Sequence, residues 1–312
     1  ALEEVVITGT RREARSVYES AAPIDVIGGE DFRNSGASDL SDLIRNVVPS
    51  YNVNAQPISD AATVVRPANM RGLAPDHTLV LVNGKRRHRS SVITWLGNGV
   101  SDGAQGPDIS AIPAIALKQV EVLRDGASAQ YGSDAIAGVM NFILKDAAEG
   151  ATIEAKYGEY TEDSEAAWSV SGNVGLPMSD NGFANLSFEY GESDATSRSV
   201  QRNDAAGLIA GGNDAVANPA QVWGSPEVKE DLKTVWNFGL NTSDNSEVYM
   251  FGNYASKEVE GGFYFRNPDT RGGVFSGDGG ETRLVGDLTE DGTGNCPVVP
   301  VGDQSALDAV IA

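Results

Sequence analysis

Apolar residues follow two different rhythms along the chain, with a change near residue 147. Before it they come in short unbroken runs. Residues 23–27, Thr78–Val82, Val120–Leu123 and Val139–Leu144 have strand composition. One helix stands among them: Leu40, Leu43, Ile44 and Val47 share a face at i, i+3, i+4, i+7 spacing. Ser38 can cap it, Asp39 and Asp42 lie in its first turn, Arg45 lies near its end, and Pro49 stops it. Asn83-Gly84 is a favoured hairpin turn pair directly after the Thr78–Val82 run. The Gly-rich segment 94–110 reads as a loop, and Pro113 starts a short helical turn.

Beyond residue 147 apolar and polar residues alternate. In 151–160, Ala151, Ile153, Ala155 and Tyr157 oppose Thr152, Glu154 and Lys156. The same period of two recurs in 167–176, 184–191 and 234–241. In 247–256, Val248, Met250 and Tyr254 share a face, but Tyr249 and Phe251 spoil the contrast. Each stretch is about the 9–11 residues a tilted membrane strand needs. Small polar residues on one face and aliphatic or aromatic ones on the other suit an outer-membrane barrel. A soluble antiparallel sandwich shows the same alternation. The links sharpen the picture: Pro177–Gly182 and Thr242–Ser246 are short turns, while Ser193–Lys233 and the segment from Glu258 onward are long and polar. Such alternation of short and long links is a property of membrane barrels.

Charge divides at the same place. Residues 1–147 hold 14 Lys/Arg against 17 Asp/Glu, whereas residues 148–312 hold 9 against 27, within a net charge of −21. That acidity argues against nucleic acid as a partner, which needs cationic surface for its phosphates. No apolar run reaches the length of a spanning helix. Ala1-Leu2-Glu3-Glu4 carries no signal-peptide pattern, as in a mature secreted protein or a cytosolic one. The single cysteine, Cys296, makes no disulfide framework by itself. Two histidines, His77 and His88, offer no metal-ligand spacing, and no Gly-x-Ser-x-Gly elbow is present. Asp278, Asp287 and Asp291 stand in Gly-rich loops without the twelve-residue calcium pattern. Neither catalysis nor a resident metal or cofactor is expected.

The stretch Val120–Lys145 organises the chain. Its two strand-like runs flank Gly126, Gly132 and Gly138, six residues apart and set among small residues. Glycine permits positive φ or close backbone approach, so a compact element packed tightly on a neighbour is predicted. Glu121-Val122-Leu123-Arg124, Ser128, Tyr131-Gly132, Gly138-Val139, Asn141, Ile143 and Lys145 resemble the plug signature of TonB-dependent outer-membrane receptors. Asp125-Gly126 stands where that family often has Gly-Pro, which keeps a turn former. The resemblance implies an α+β plug domain over 16–147, preceded by a TonB box and flexible N-terminus over 1–15. The antiparallel strands of a transmembrane β-barrel would follow over 148–312. The family's complete barrel has twenty-two strands, so about five strands make this the front of a longer protein, with the partner of Cys296 expected beyond it.

The resemblance also assigns roles. From composition alone Val5–Thr8 is an ordinary first strand or one that adds to a partner's sheet edge. As a TonB box, Glu4, Val5, Val6, Ile7 and Thr8 would bind TonB. Met70-Arg71-Gly72 resembles the family's Arg-Gly element. Lys85-Arg86-Arg87-His88-Arg89 is the densest positive cluster of the chain, and by itself reads as a solvated loop or as partners for acidic neighbours. Carried over, Arg71, Arg86, Arg87, His88 and Arg89 become plug-apex candidates for an anionic or hydroxyl-rich ligand, with Trp95 stacking on it. Glu121 and Arg124 would anchor the plug to the barrel wall. The implied activity is active uptake of a scarce siderophore, vitamin, sugar or peptide. TonB would pull the plug, with ExbB/ExbD as energy source and outer-membrane lipid around the barrel. The alternatives are a signalling or other non-transport surface receptor.

Overall fold

The computed structural model describes residues 5–6, 15–16, 23–34, 40–53, 65, 68–93, 103–161, 165–213, 216–243, 245–261, 264–267, 282–284, 298–300, 303, 305–306 and 309. Two units follow from the packing: residues 1–196 with 225–261, and residues 197–224 with 262–312. Of the residues that the sequence singles out, Glu4, Ile7, Thr8, Ser38, Asp39, Trp95, Asp278, Asp287, Asp291 and Cys296 lie outside the described ones.

The first unit begins with β1 (Val5–Val6) paired antiparallel to β2 (Arg15–Ser16). A mixed sheet then forms from β3 (Ile24–Gly28) onward. Helix α1 (Gly29–Asn34), which the pattern did not announce, follows directly. Gly29 is required there: a Cβ on it would stand 2.5 Å from the Leu117 carbonyl oxygen. Helix α2 (Leu40–Val47) buries Leu40, Leu43 and Ile44, as its periodicity predicts. Val47 is the exception, 45% exposed, and Val48 takes the core position with no exposure. Val48 N–H extends the helical bonding to Ile44 before Pro49 ends it.

After the short ladder of β4 (Tyr51–Val53) and β5 (Ala68–Met70), β6 (Thr78–Val82) and β7 (Lys85–Arg86) form the expected hairpin. Both turn residues take positive φ, 47° at Asn83 and 73° at Gly84, the pair demanded by a type I′ turn. The two runs of the organising stretch become β8 (Leu117–Leu123) and β9 (Gly138–Leu144), with α3 (Ser128–Tyr131) between them. The sheet order is β3-β8-β9-β6-β7. All five residues of β6 are buried, and Val120, Val122, Met140 and Phe142 join α2 in one core. Gly138 explains the tight packing predicted for this stretch. A Cβ there would meet the Leu123 carbonyl at 2.4 Å and Met70 Sδ at 2.6 Å.

The alternating stretches form a continuous antiparallel meander. It runs β10 (Ala151–Glu159), β11 (Ala166–Pro177), β12 (Gly182–Ser193), then, after helix α4 (Asn203–Ala210) of the second unit, β13 (Glu227–Ser243) and β14 (Ser246–Glu260). At 17 and 15 residues, β13 and β14 outrun their alternating cores, because ladder bonding continues into polar sequence. The link expected at Ser193–Lys233 is shorter accordingly, and it carries α4. One face of the sheet is bare and apolar: Ile153 is 79% exposed and Val248 61%. The other holds Ser171, Asn185, Ser187 and Asn237, all buried.

The second unit is held by polar contacts around α4. Arg202 Nε pairs with Asp204 Oδ1 at 3.0 Å, and its guanidinium lies 5.5 Å from the Phe265 ring centroid. Gln221 Oε1 accepts from Arg202 and from the Phe265 amide. Strands β15 (Thr282–Leu284) and β16 (Val298–Pro300) pair antiparallel.

Candidate functional site

Sheet register places the candidate residues at opposite ends of the plug. Strands β6 and β9 run parallel and finish together, where the chain leaves for β10. The Asn83-Gly84 turn sits at this end. So do the short turns of the meander: Gly182 pairs with Leu240, and Ser243 with Ser246. Arg71, Asp76, Asp125 and Asp134 gather near the other end, around the starts of β6 and β9.

The basic run spans the distance between these ends. Arg86, Arg87, His88 and Arg89 line one cleft of about 120 Å³ together with Asp76, Gln105 and Asp134. Two of its arginines, Arg86 and Arg89, are already partnered. Arg86 pairs with Asp134 and donates to the Tyr131 carbonyl at 3.3 Å, tying the hairpin to α3. Arg89 lies 3.9 Å from Asp76, and Arg71, outside this cleft, lies 3.8 Å from Asp125. These arginines are largely exposed, so each pair contributes little stability, but each lowers the local positive potential. For Arg86 and Arg89 the reading as partners for acidic neighbours is therefore what the plug displays, and the five candidates do not converge on one point. Burial, then the neighbouring Arg87 charge, lowers the His88 pKa from its ordinary value, with Asp108 opposing. This favours the neutral imidazole, which offers a hydrogen bond in place of a charge.

Arg87 differs from its neighbours. It donates from an Nη to Asn253 Oδ1 on β14 at 2.6 Å, across the junction between plug and meander. This junction is mostly polar. Asn83 Nδ2 donates to Asn237 Oδ1 at 3.3 Å, Asn237 Nδ2 to the Lys145 carbonyl at 3.0 Å, and Asn185 Nδ2 to the Ala147 carbonyl at 3.1 Å. Tyr249 and Phe251, which break the alternation of β14, face the plug. Lys85 Nζ stands 5.5 Å from the Tyr249 ring centroid, Tyr249 stacks on Phe251 at 6.4 Å, and Phe251 packs on the plug core. In the sequence these two aromatics only spoil the contrast of 247–256. The broken contrast was itself the signal of contact on the second face.

Glu121 and Arg124, the expected wall anchors, make contacts within the plug. Glu121 is fully buried in the plug sheet, accepting from Gln119 Nε2 at 2.9 Å and Asn141 Nδ2 at 3.4 Å. Asn141 Oδ1 in turn accepts from the Gly84 amide at 3.0 Å. Arg124 Nε pairs with Asp25 Oδ2 at 2.7 Å, which braces β8 against β3 inside the plug. An ion network the sequence did not announce lies on the inner face of the meander. Lys233, its side chain 7% exposed, reaches Glu189 at 2.6 Å and Asp231 at 3.2 Å. Among the described residues no cluster of three or more His, Cys, Asp or Glu is arranged to hold a metal.

Comparison with known proteins bears on the same elements. The family model for the TonB-dependent receptor plug domain matches residues 16–139. The ferric enterobactin receptor PirA of Pseudomonas aeruginosa is 35% identical over 147 residues, 46% of this chain and 19% of that protein. The probable TonB-dependent siderophore receptor PirA of Acinetobacter baumannii is 30% identical over 224 residues, 70% of this chain and 28% of that protein. The crystal structure of the A. baumannii siderophore receptor PirA superimposes with a TM-score of 0.57 at 24% identity, covering 82% of this chain and 35% of that one. The likeness extends through plug and meander, so the five strands match part of a receptor barrel. The chain spans between a fifth and just over a quarter of the length of these curated relatives. Residues 16–139 are thus a TonB-dependent receptor plug domain, and the chain that carries them belongs to that receptor family.

Proposed function

We propose that the protein takes up a scarce ligand across the bacterial outer membrane by TonB-driven displacement of its plug, with residues 16–147 as plug and 148 onward as wall. One observation carries this reading. The plug core rests on the polar inner face of a sheet whose outer face is bare and apolar, with Ile153 and Val248 among its exposed residues. An apolar outer band around a polar interior is what a lipid-embedded strand wall requires. The ligand is a small molecule, and the names of the relatives favour a ferric siderophore.

In this reading Glu4–Thr8 is the segment TonB takes hold of by strand addition, with ExbB/ExbD supplying the energy. Val5 and Val6 already adopt extended ladder geometry. The end of the plug bearing Arg71 and Arg89 faces the incoming ligand. Arg86, with Arg89, must share or leave its carboxylate to meet an anion. The barrier inside the wall is polar: the Asn83–Asn237, Asn237–Lys145 and Arg87–Asn253 contacts exchange readily with water once parted, unlike an apolar core.

The test compares uptake and surface binding of a panel of ferric siderophores by cells expressing the native protein, with and without Val5–Thr8. Deletion is expected to abolish uptake and leave surface binding intact. Uptake that survives the deletion, or loss of binding along with uptake, would overturn the role given to this segment.

A further inference from the structure

The hairpin that carries the basic run has a second side. Away from the cleft shared with Asp76 and Asp134, a cavity of about 330 Å³ opens between β6–β7 and the inner face of β13 and β14. Val82, Ile112, Leu144, Val235 and Phe251 make its apolar part. Its polar part is Lys85, Arg86, Arg87 and His88 with Asn253. No carboxylate is among the described residues that line it, in a chain of net charge −21. The volume falls at the lower end of small-ligand sites, roughly 300–1000 Å³.

The cations are not equivalent. Arg86 is committed to Asp134. Lys85 lies over Tyr249, which extends the aromatic surface of Phe251. Arg87 uses one Nη on Asn253, while its Nε is buried without a hydrogen-bond partner. Burial lowers the pKa of its guanidinium from the ordinary value, and Asp108 opposes this electrostatically from outside the lining. A buried guanidinium N–H left unpaired is costly, and an entering anion would relieve that cost.

We infer that this seam between plug and wall binds a small carboxylate with an aromatic or compact apolar body. Arg87 takes the carboxylate, Lys85 adds charge at longer range, and the body lies against Phe251 and Val235. A doubly charged phosphate suits the cavity less, because most of its wall is apolar and the charge of Arg86 is offset by Asp134. The site shares Arg86, Arg87 and His88 with the cleft that Asp76 and Asp134 line but not its carboxylates, and it does not depend on transport.

Calorimetric titration of the native detergent-solubilised protein with benzoate and with neutral benzamide tests it. Benzoate is expected to bind at least tenfold more tightly than benzamide. Arg87→Gln is expected to weaken benzoate at least tenfold and leave benzamide unchanged; Phe251→Ala is expected to weaken both. Arg87→Gln also gives up the bond to Asn253, so Lys85→Gln serves as second variant, with about threefold weaker benzoate binding and an unaltered Tm. Absence of benzoate binding, equal affinity for the two probes, or unchanged benzoate affinity in Arg87→Gln overturns the site. Where Arg87→Gln lowers the Tm, unchanged affinity in Lys85→Gln overturns it instead. Siderophore uptake is a separate readout, so failure of transport and failure of this site are distinguishable.

Discussion

Gly138 and Gly132 show how one residue type answers two different demands. Both have positive φ, 150° and 93°. Nothing lies within 4 Å of a Cβ placed on Gly132, whereas one on Gly138 collides with the Leu123 carbonyl and Met70. Gly132→Ala is therefore expected to cost only backbone strain, about 1–3 kcal/mol. Gly138→Ala adds overpacking to strain and is expected to cost roughly 3–5 kcal/mol. Denaturant midpoints for the plug should fall in that order; the reverse order would show that the close approach of β8 and β9 is not what selects glycine. Asp204 carries a second prediction. The bond from Arg202, then that from Asn267, lowers its carboxyl from 3.8 to about 2. The folded value is depressed, so the order it lends α4 is complete above pH about 4 and is lost as pH falls through about 2. Carboxyl NMR should place the midpoint near 2, moving up toward 3.8 in Arg202→Gln; an unmoved midpoint in that variant would remove the assigned cause.

The β6–β7 hairpin concentrates several tasks in one turn. Asn83 holds positive φ, its Oδ1 accepts from the Leu144 amide at 2.9 Å, and its Nδ2 reaches Asn237 on the wall. Asn83→Ala removes the side-chain bonds and the residue type that tolerates this backbone, at an expected cost of about 2 kcal/mol. Faster amide exchange should appear at Leu144, beyond the turn itself; exchange confined to residues 82–85 would mean that the turn is local and the link to β9 idle. The Asn-Gly pair made the turn legible in the sequence because its chemistry is short-range. Its contact with Asn237 joins residues 154 apart in the chain, and no local pattern announces that.

The meander assigns each wall residue a side, and adjacent positions should respond in opposite ways. Ile153 points outward and Thr152 inward. Ile153→Lys is expected to destabilise the wall in the membrane by about 2–4 kcal/mol if it lies near the bilayer midplane. Thr152→Ala should be nearly neutral. Heat-modifiable mobility of the native protein reads assembly in both, and equal tolerance of the two changes would contradict a lipid-facing outer side. Period two was clear in the four stretches whose inner face carries mainly small polar side chains. It failed in β14, where Phe251 meets the plug core and Tyr249 stacks on it. A strand in contact on both faces loses its alternation.

From its own order of residues the chain determined its elements: the strand runs, the helix face centred on Leu43 and Ile44, the Asn83-Gly84 turn, and the glycine-punctuated signature of the plug. Those properties depend on neighbours within a few positions, through backbone sterics and periodic burial. Only the tertiary structure decided how the charges are used. Arg86, Arg89, Arg71 and Arg124 stand 48, 13, 54 and 99 positions from their carboxylates. Whether a guanidinium meets a ligand, an acid of its own domain or the wall is set by packing across those separations. Arg87 and Lys85 face the seam because β14 folds back beside the hairpin.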